Sequence, residues 1–307
     1  MEKTRKRKYI TLIIVLTLLL IACIVYIIIN QKTGKHSEDE TTKDVMLEYI
    51  CSKDSVYVLE SGVIKRMSEF KSGDTYEIKY DFEHADYDIL IQEYKIDEIA
   101  GTGTESEMAI NLMNEFSGRL THFSNYDSKR EISAVPLLNY SLDNPEHGIN
   151  CKNKAQILNG MCLALNIYCR KVWLMPNSIY DGECHVVNEV WDTSLNKWVM
   201  VDISNNIYWV NENGTPLSIL EIRDRLENQE FCTPVYPKDG LVELTNSLQN
   251  NYGLFLYYAK NMVWFRYLTE NTSTEGLDTY ILVPECYDDE LGSSYITREA
   301  IEASPIK

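Results

Sequence analysis

Basic residues are scarce along most of this 307-residue chain. Past residue 30 it holds 24 Lys and Arg against 45 Asp and Glu. Such a surface repels nucleic acid and anionic lipid headgroups, so no nucleic-acid partner is expected. A Gly-rich phosphate loop, a Rossmann fingerprint and a Gly-x-Ser-x-Gly elbow are all missing, which argues against the common nucleotide sites and the α/β-hydrolase nucleophile. The eight cysteines form no Cys-x-x-Cys pair and no zinc-finger spacing, so neither a metal nor a cofactor is expected. Internal repeats and low-complexity tracts are also absent. A hydrophobic fraction of 45% points to a real core rather than to disorder.

The positive charge that is present clusters at one end. Lys3, Arg5, Lys6, Arg7 and Lys8 precede Tyr9–Ile29, a run of 21 residues without a charge. At 1.5 Å per residue this run spans about 30 Å, the thickness of a bilayer core. The expectation is a cytoplasmic basic tail at 1–8, a transmembrane helix at 9–29 and a polar linker at 30–44. The rest of the chain would then lie outside the cell membrane, on a single-pass anchor. Leu20-Ile21-Ala22-Cys23 resembles a bacterial lipobox and offers a rival, lipoprotein anchor. Against it, Ile24–Ile29 stays apolar where a mature lipoprotein turns polar.

Residues 45–103 read as a strand-rich region. Ser55–Leu59 and Thr75–Phe82 alternate, and Asp88–Tyr94 follows as a third strand. Met108, Leu112, Met113, Phe116 and Leu120 then recur at helical spacing, behind a Thr104-x-x-Glu107 capping box. Residues 121–150 hold one short helix among loops. Residues 152–166 form a strong helix with Ala155, Leu158, Cys162 and Leu165 on one stripe. Strands are expected at Arg170–Met175, His185–Trp191, Lys197–Ile203, Met262–Leu268 and Thr279–Val283, and helices at Ile219–Leu226 and 242–259. Strands and helices mix without βαβ alternation, so the fold class is α+β. A C-terminal tail, 285–307, completes the chain.

Three residues in this layout suit nucleophilic chemistry. A turn at Thr193-Ser194 would set His185 directly across from Asp202, both on one face of the hairpin. An imidazole beside a carboxylate is the pairing a general base requires. Cys151 opens the strong helix, where the positive end of the helix dipole and a nearby imidazolium favour a thiolate. Backbone N–H groups at that helix start can meet a developing oxyanion. His147, four residues before Cys151, competes for the role of base. Candidates for a second oxyanion donor are Asn139, Tyr140 and Asn150. Cys162 and Cys169 read as structural, and Cys184 as structural or disulfide-bonded.

The run Gly148-Ile-Asn-Cys151-Lys-Asn-Lys-Ala155, the strand from His185 to Glu189, and Lys197-Trp198-Val-Met-Val-Asp202 together resemble the core of the transglutaminase-like superfamily. That family has a Cys opening a helix, a His-leading strand and a strand ending in Asp. The resemblance implies a papain-like fold, here in a membrane-anchored bacterial member, with a transglutaminase-like domain at 104–284. It also implies Cys151 as nucleophile, His185 as base and Asp202 as its orienting carboxylate, with Glu189 and Trp198 in support and no metal. The function expected is an extracytoplasmic cysteine enzyme acting on amide bonds of a protein or peptide substrate, including those of the cell envelope. It would be a hydrolase if water accepts the acyl group and a transglutaminase if an amine does. The alternative is a non-catalytic surface module on the same fold.

Overall fold

The computed structural model describes residues 56–124, 132–230, 232–237, 240–241, 248–274, 276, 278–287 and 294–306. All of them fall in one unit spanning 50–307. The expected anchor at 9–29, with its basic flank, the linker and the Cys23 lipobox, lies outside the described residues. Among the described residues no helix is long and apolar enough to cross a membrane.

In chain order, α1 (Val56–Arg66), β1 (Lys79–Tyr80), α2 (Ala85–Gln92), α3 (Ile96–Ala100), α4 (Glu105–Ser117), α5 (Ala134–Asp143) and α6 (Cys151–Ala164) lead into a run of strands. These are β2 (Cys169–Met175), β3 (His185–Asp192), β4 (Lys197–Asp202) and β5 (Ile207–Val210). Then come α7 (Ile219–Asn228), β6 (Thr233–Tyr236), β7 (Gly240–Leu241) and α8 (Leu248–Asn261). β8 (Trp264–Leu268), β9 (Glu270–Asn271), β10 (Thr279–Leu282), β11 (Ser294–Tyr295) and α9 (Arg298–Glu302) follow. One sheet runs β11-β10-β8-β2-β3-β4-β5-β6-β7, and β1 pairs with β9 in a small second sheet. Within the large sheet every pairing is antiparallel except β10 with β11.

The N-terminal part departs from the strand-rich expectation. Val56–Arg66 and Ala85–Gln92 are helices, and of Thr75–Phe82 only Lys79–Tyr80 pairs as a strand. The buried residues show why. Tyr57, Ser61 and Ile64, and then Asp86, Tyr87 and Leu90, recur three or four apart, which is the period of a helix and not of a strand. Beyond that two-residue ladder the aromatics of 75–82 serve packing, with Tyr80 and Phe82 both edge-on to Tyr168.

Local signals hold well elsewhere. Thr104 and Glu107 close the expected capping box on α4, and Ser218 and Glu221 do the same on α7. α6 starts at Cys151 because the Asn150 side chain caps it, accepting the Asn153 N–H at 3.0 Å. Its burial is wider than a single stripe, since every residue from Asn153 to Ala164 is buried. α2, α4 and α5 pack around it, and β2 and β3 lie beneath it. Three of the polar side chains buried at this seam find backbone partners. Gln156 donates to the carbonyls of Thr272 and Ser273, Asn159 to that of Thr272, and Asn188 of β3 to that of Ala155. Gly160 lets α5 approach closely, because a Cβ there would sit 2.5 Å from that of Ala134.

β3 is buried along its whole length, with helices against both faces. Asn188 faces α6, whereas Glu189 accepts the Ile219 N–H at the start of α7. The C-terminal segment is ordered onto this same framework. β11 pairs with β10, and the Ile301 carbonyl of α9 accepts from Arg170 of β2 at 2.9 Å.

Candidate active site

The β3–β4 hairpin has a longer connection than a Thr193-Ser194 turn. Asp192 pairs with Lys197, Asn196 takes φ 51°, and the ladder runs back to Asn188 opposite Val201. Extending that register puts Val187, not His185, across from Asp202. The expected direct opposition is therefore corrected by two residues. A shift of two preserves the face, because side chains alternate with period two. His185 and Asp202 consequently meet on a diagonal, with Nε2 2.7 Å from Oδ2.

Asp202 ends β4 fully buried and richly bonded. Besides His185, its Oδ2 accepts from Tyr258 Oη at 2.7 Å and from Asn205 Nδ2 at 2.6 Å. Its Oδ1 accepts the backbone N–H groups of Ser204 at 2.9 Å and Asn205 at 3.3 Å. Burial alone would raise this carboxyl, but the imidazole's charge and these donors overcome it and hold the pKa at about 2. A carboxylate so held can only accept, so His185 Nε2 carries a hydrogen. Burial likewise opposes a charged His185, yet Asp202 and Cys151 outweigh it and lift the imidazole to about 10.

Cys151 is half-buried at the first position of α6. Burial pushes its thiol up, but a hydrogen bond with His185, the imidazolium charge and the Val186 backbone N–H bring the net below the ordinary thiol value. Nε2 being committed to Asp202, the other ring nitrogen is left for Cys151. The rings of Tyr257 and Tyr258 from α8 stand edge-on to the imidazole, with centroids 5.4 and 6.1 Å away. The three expected residues thus converge from a helix start, a strand start and a strand end.

Other candidates sit elsewhere. The His147 ring lies exposed, its Nδ1 3.6 Å from Glu146, and the imidazole at Cys151 is that of His185. Asn139 is bonded to Tyr94, and the Asn150 oxygen is spent on its cap. Glu189 and Trp198 serve Arg170. The carboxylate pairs with the guanidinium at 2.6 Å, and the indole stacks on it at 3.8 Å. Cys162, Cys169 and Cys184 are free thiols, the first two buried. Among the described residues no group of three or more His, Cys, Asp or Glu side chains is arranged to hold a metal.

Several neighbours of the site carried no flag in the sequence. Tyr258 comes from 56 residues further along the chain, and no local signal announces it. Asn205 was within reach, since Asp202-Ile-Ser-Asn205 is a sequence that favours an Asx turn. His122 is set beside the approach to Cys151 by a bridge to Ile149, and it feels the charges of His185 and Asp202. Gly148, at φ 64°, permits this bridge, for a Cβ there would lie 3.0 Å from the Thr121 carbonyl oxygen.

No curated protein and no solved structure matches the chain. Residues 93–203, which include Cys151, His185 and Asp202, match the family model of the transglutaminase-like superfamily. The chain therefore carries a transglutaminase-like domain of mixed helices and strands, with a sheet that is dominantly antiparallel.

Proposed function

We propose that this protein is a cysteine enzyme that acts on amide bonds through a thioester. The observation that carries the reading is the Cys151–His185–Asp202 arrangement, with its bonded imidazole and buried carboxylate. The Cys151 thiolate attacks the amide carbonyl carbon, forming a C–S bond while the π pair moves to oxygen. That oxyanion meets the backbone N–H at the start of α6. When it collapses, the C–N bond breaks and the His185 imidazolium delivers its proton to the leaving amine. His185, now neutral, takes a proton from the incoming water or amine, and the thiolate is released as the new acyl bond forms. Asp202 orients the ring throughout.

We further propose that residues 9–29 anchor the enzyme and that its domain works outside the cell membrane on a protein or peptide, including those of the cell envelope. The uncharged run of 21 residues behind a basic flank supports this placement.

The test is alkylation of the full chain by iodoacetamide at about pH 6, where an ordinary thiol near pKa 8.5 reacts slowly. Labelled sites are mapped by mass spectrometry. Fast labelling at Cys151 that is lost in His185→Ala supports the thiolate–imidazolium pair. An inert Cys151 overturns the enzyme reading and favours a surface binding module.

A further inference from the structure

One charged side chain of α6 stands apart from the hydrogen-bonding pattern of that helix. Lys154 is only 2% exposed. Gln156 and Asn159, further along the helix, are bonded to the Thr272–Ser273 backbone. Lys154 has neither an ion pair nor a side-chain hydrogen bond among the described residues. With its stem enclosed and its ammonium at the edge of solvent contact, this lysine has no protein partner to offset its partial desolvation, so a negative charge that comes to it is favoured.

Its position says where that charge is. Lys154 follows Cys151 by three residues and so shares its helix face, and helical side chains lean back toward the N-terminus. The ammonium accordingly lies in the fields of Cys151 and Asp202, with His122 as a further neighbour. Asp202 is already committed to His185, Tyr258 and Asn205. With the thiolate, imidazolium and carboxylate all charged, the triad carries one net negative charge. On attack, that charge moves from sulfur to the carbonyl oxygen.

On the cysteine-enzyme reading above, we propose that the Lys154 ammonium is the second stabiliser of the oxyanion at Cys151, acting with the backbone N–H at the start of α6. Its charge is already in place when the transition state forms, so no solvent reorganisation is needed. Neutral donors at 139, 140 and 150 are not required for this role.

The experiment compares two reactions of the same sulfur in the full chain. Alkylation by iodoacetamide expels iodide and develops no oxyanion, whereas acetylation by p-nitrophenyl acetate passes through one. Cys151→Ala supplies the background for both. In Lys154→Met the alkylation rate should stay within about threefold, and acetylation should fall at least roughly tenfold, since one oxyanion donor is worth about 10²–10³ in rate. Lys154→Arg, which keeps the charge, should recover much of the acetylation rate. A parallel fall in both reactions would make Lys154 a support of the thiolate and overturn the proposal. Two unchanged rates would overturn it too. Should Lys154→Met not fold, Lys154→Gln carries the same comparison, and failure of both to fold makes Lys154 structural. A Cys151 that iodoacetamide does not label in the wild-type chain is a separate result, against the enzyme reading itself.

Discussion

His185 Nε2 lies 2.7 Å from Asp202 Oδ2 although the two residues are two positions out of register across β3 and β4. The diagonal contact leaves room around the carboxylate, and Tyr258 and Asn205 fill it. Asp202 is thereby fixed from three directions, and the imidazole it orients is fixed with it.

Tyr258→Phe tests that support. Hydrogen bonds to a charged group are worth about 1.5–3 kcal/mol, so this variant should lose stability in that range. The ring, its contacts with His185 and Trp209, and the fold should survive. The alkylation rate of Cys151 at acidic pH should drop severalfold as the imidazole loosens. Urea unfolding together with the labelling rate checks both halves. An unchanged rate would mean that the His185 contact alone holds Asp202.

Stability should depend on pH in a defined direction. Asp202 is depressed from 3.8 to about 2 in the fold, so its contribution is present above 3.8 and disappears as pH falls toward 2. His185 is raised from 6.5 to about 10, so its contribution is full below 6.5 and is lost as pH rises through 10. Their mutual attraction is common to both shifts and is strongest between the two unfolded values of 3.8 and 6.5. Denaturant midpoints measured across pH should decline on the alkaline side, and His185→Ala should flatten that decline.

Glu189→Ala should unfold the protein more readily than it alters the chemistry. It would strand the Arg170 guanidinium in the sheet, and breaking a buried pair costs about 3–5 kcal/mol. The Ile219 N–H at the start of α7 loses its acceptor as well. At temperatures where the variant is still folded, Cys151 should label at nearly the wild-type rate. A large stability loss with intact labelling distinguishes this structural role from a catalytic one.

Gly160→Ala probes the seam between α5 and α6. The new methyl would meet the Ala134 Cβ at 2.5 Å, and neither helix offers a rotatable side chain to yield. Overpacking of this kind costs about 1–3 kcal/mol, partly offset by the roughly 1 kcal/mol that Ala gains over Gly in a helix. The double variant Gly160→Ala/Ala134→Gly should recover stability lost to the clash. Thermal melts of the single and double variants decide it.

The parts of the site that were legible in the sequence are those governed by short-range rules. Asn150 before Cys151 marks a helix start, and strand alternation places His185 and Asp202 on one face whichever even offset the hairpin adopts. The capping boxes of α4 and α7 are equally local. Reading Ser55–Leu59 and Asp88–Tyr94 as strands, where helices Val56–Arg66 and Ala85–Gln92 stand, failed for the opposite reason. Short stretches fit either period until their partners are known, and these bury their 57–61–64 and 86–87–90 sets against other elements.

By itself the sequence determined which chemistry is available: a thiol at a helix N-terminus, an imidazole and a carboxylate on one face of two neighbouring strands, and a strongly acidic chain. Only the tertiary structure decided the two-residue offset of the hairpin, the capture of Asp202 by Tyr258, the docking of α9 on Arg170 and the burial of Lys154 beside the nucleophile. The first set depends on periodicities that repeat within a few residues. The second depends on which distant segments close against one another, and no local pattern encodes that.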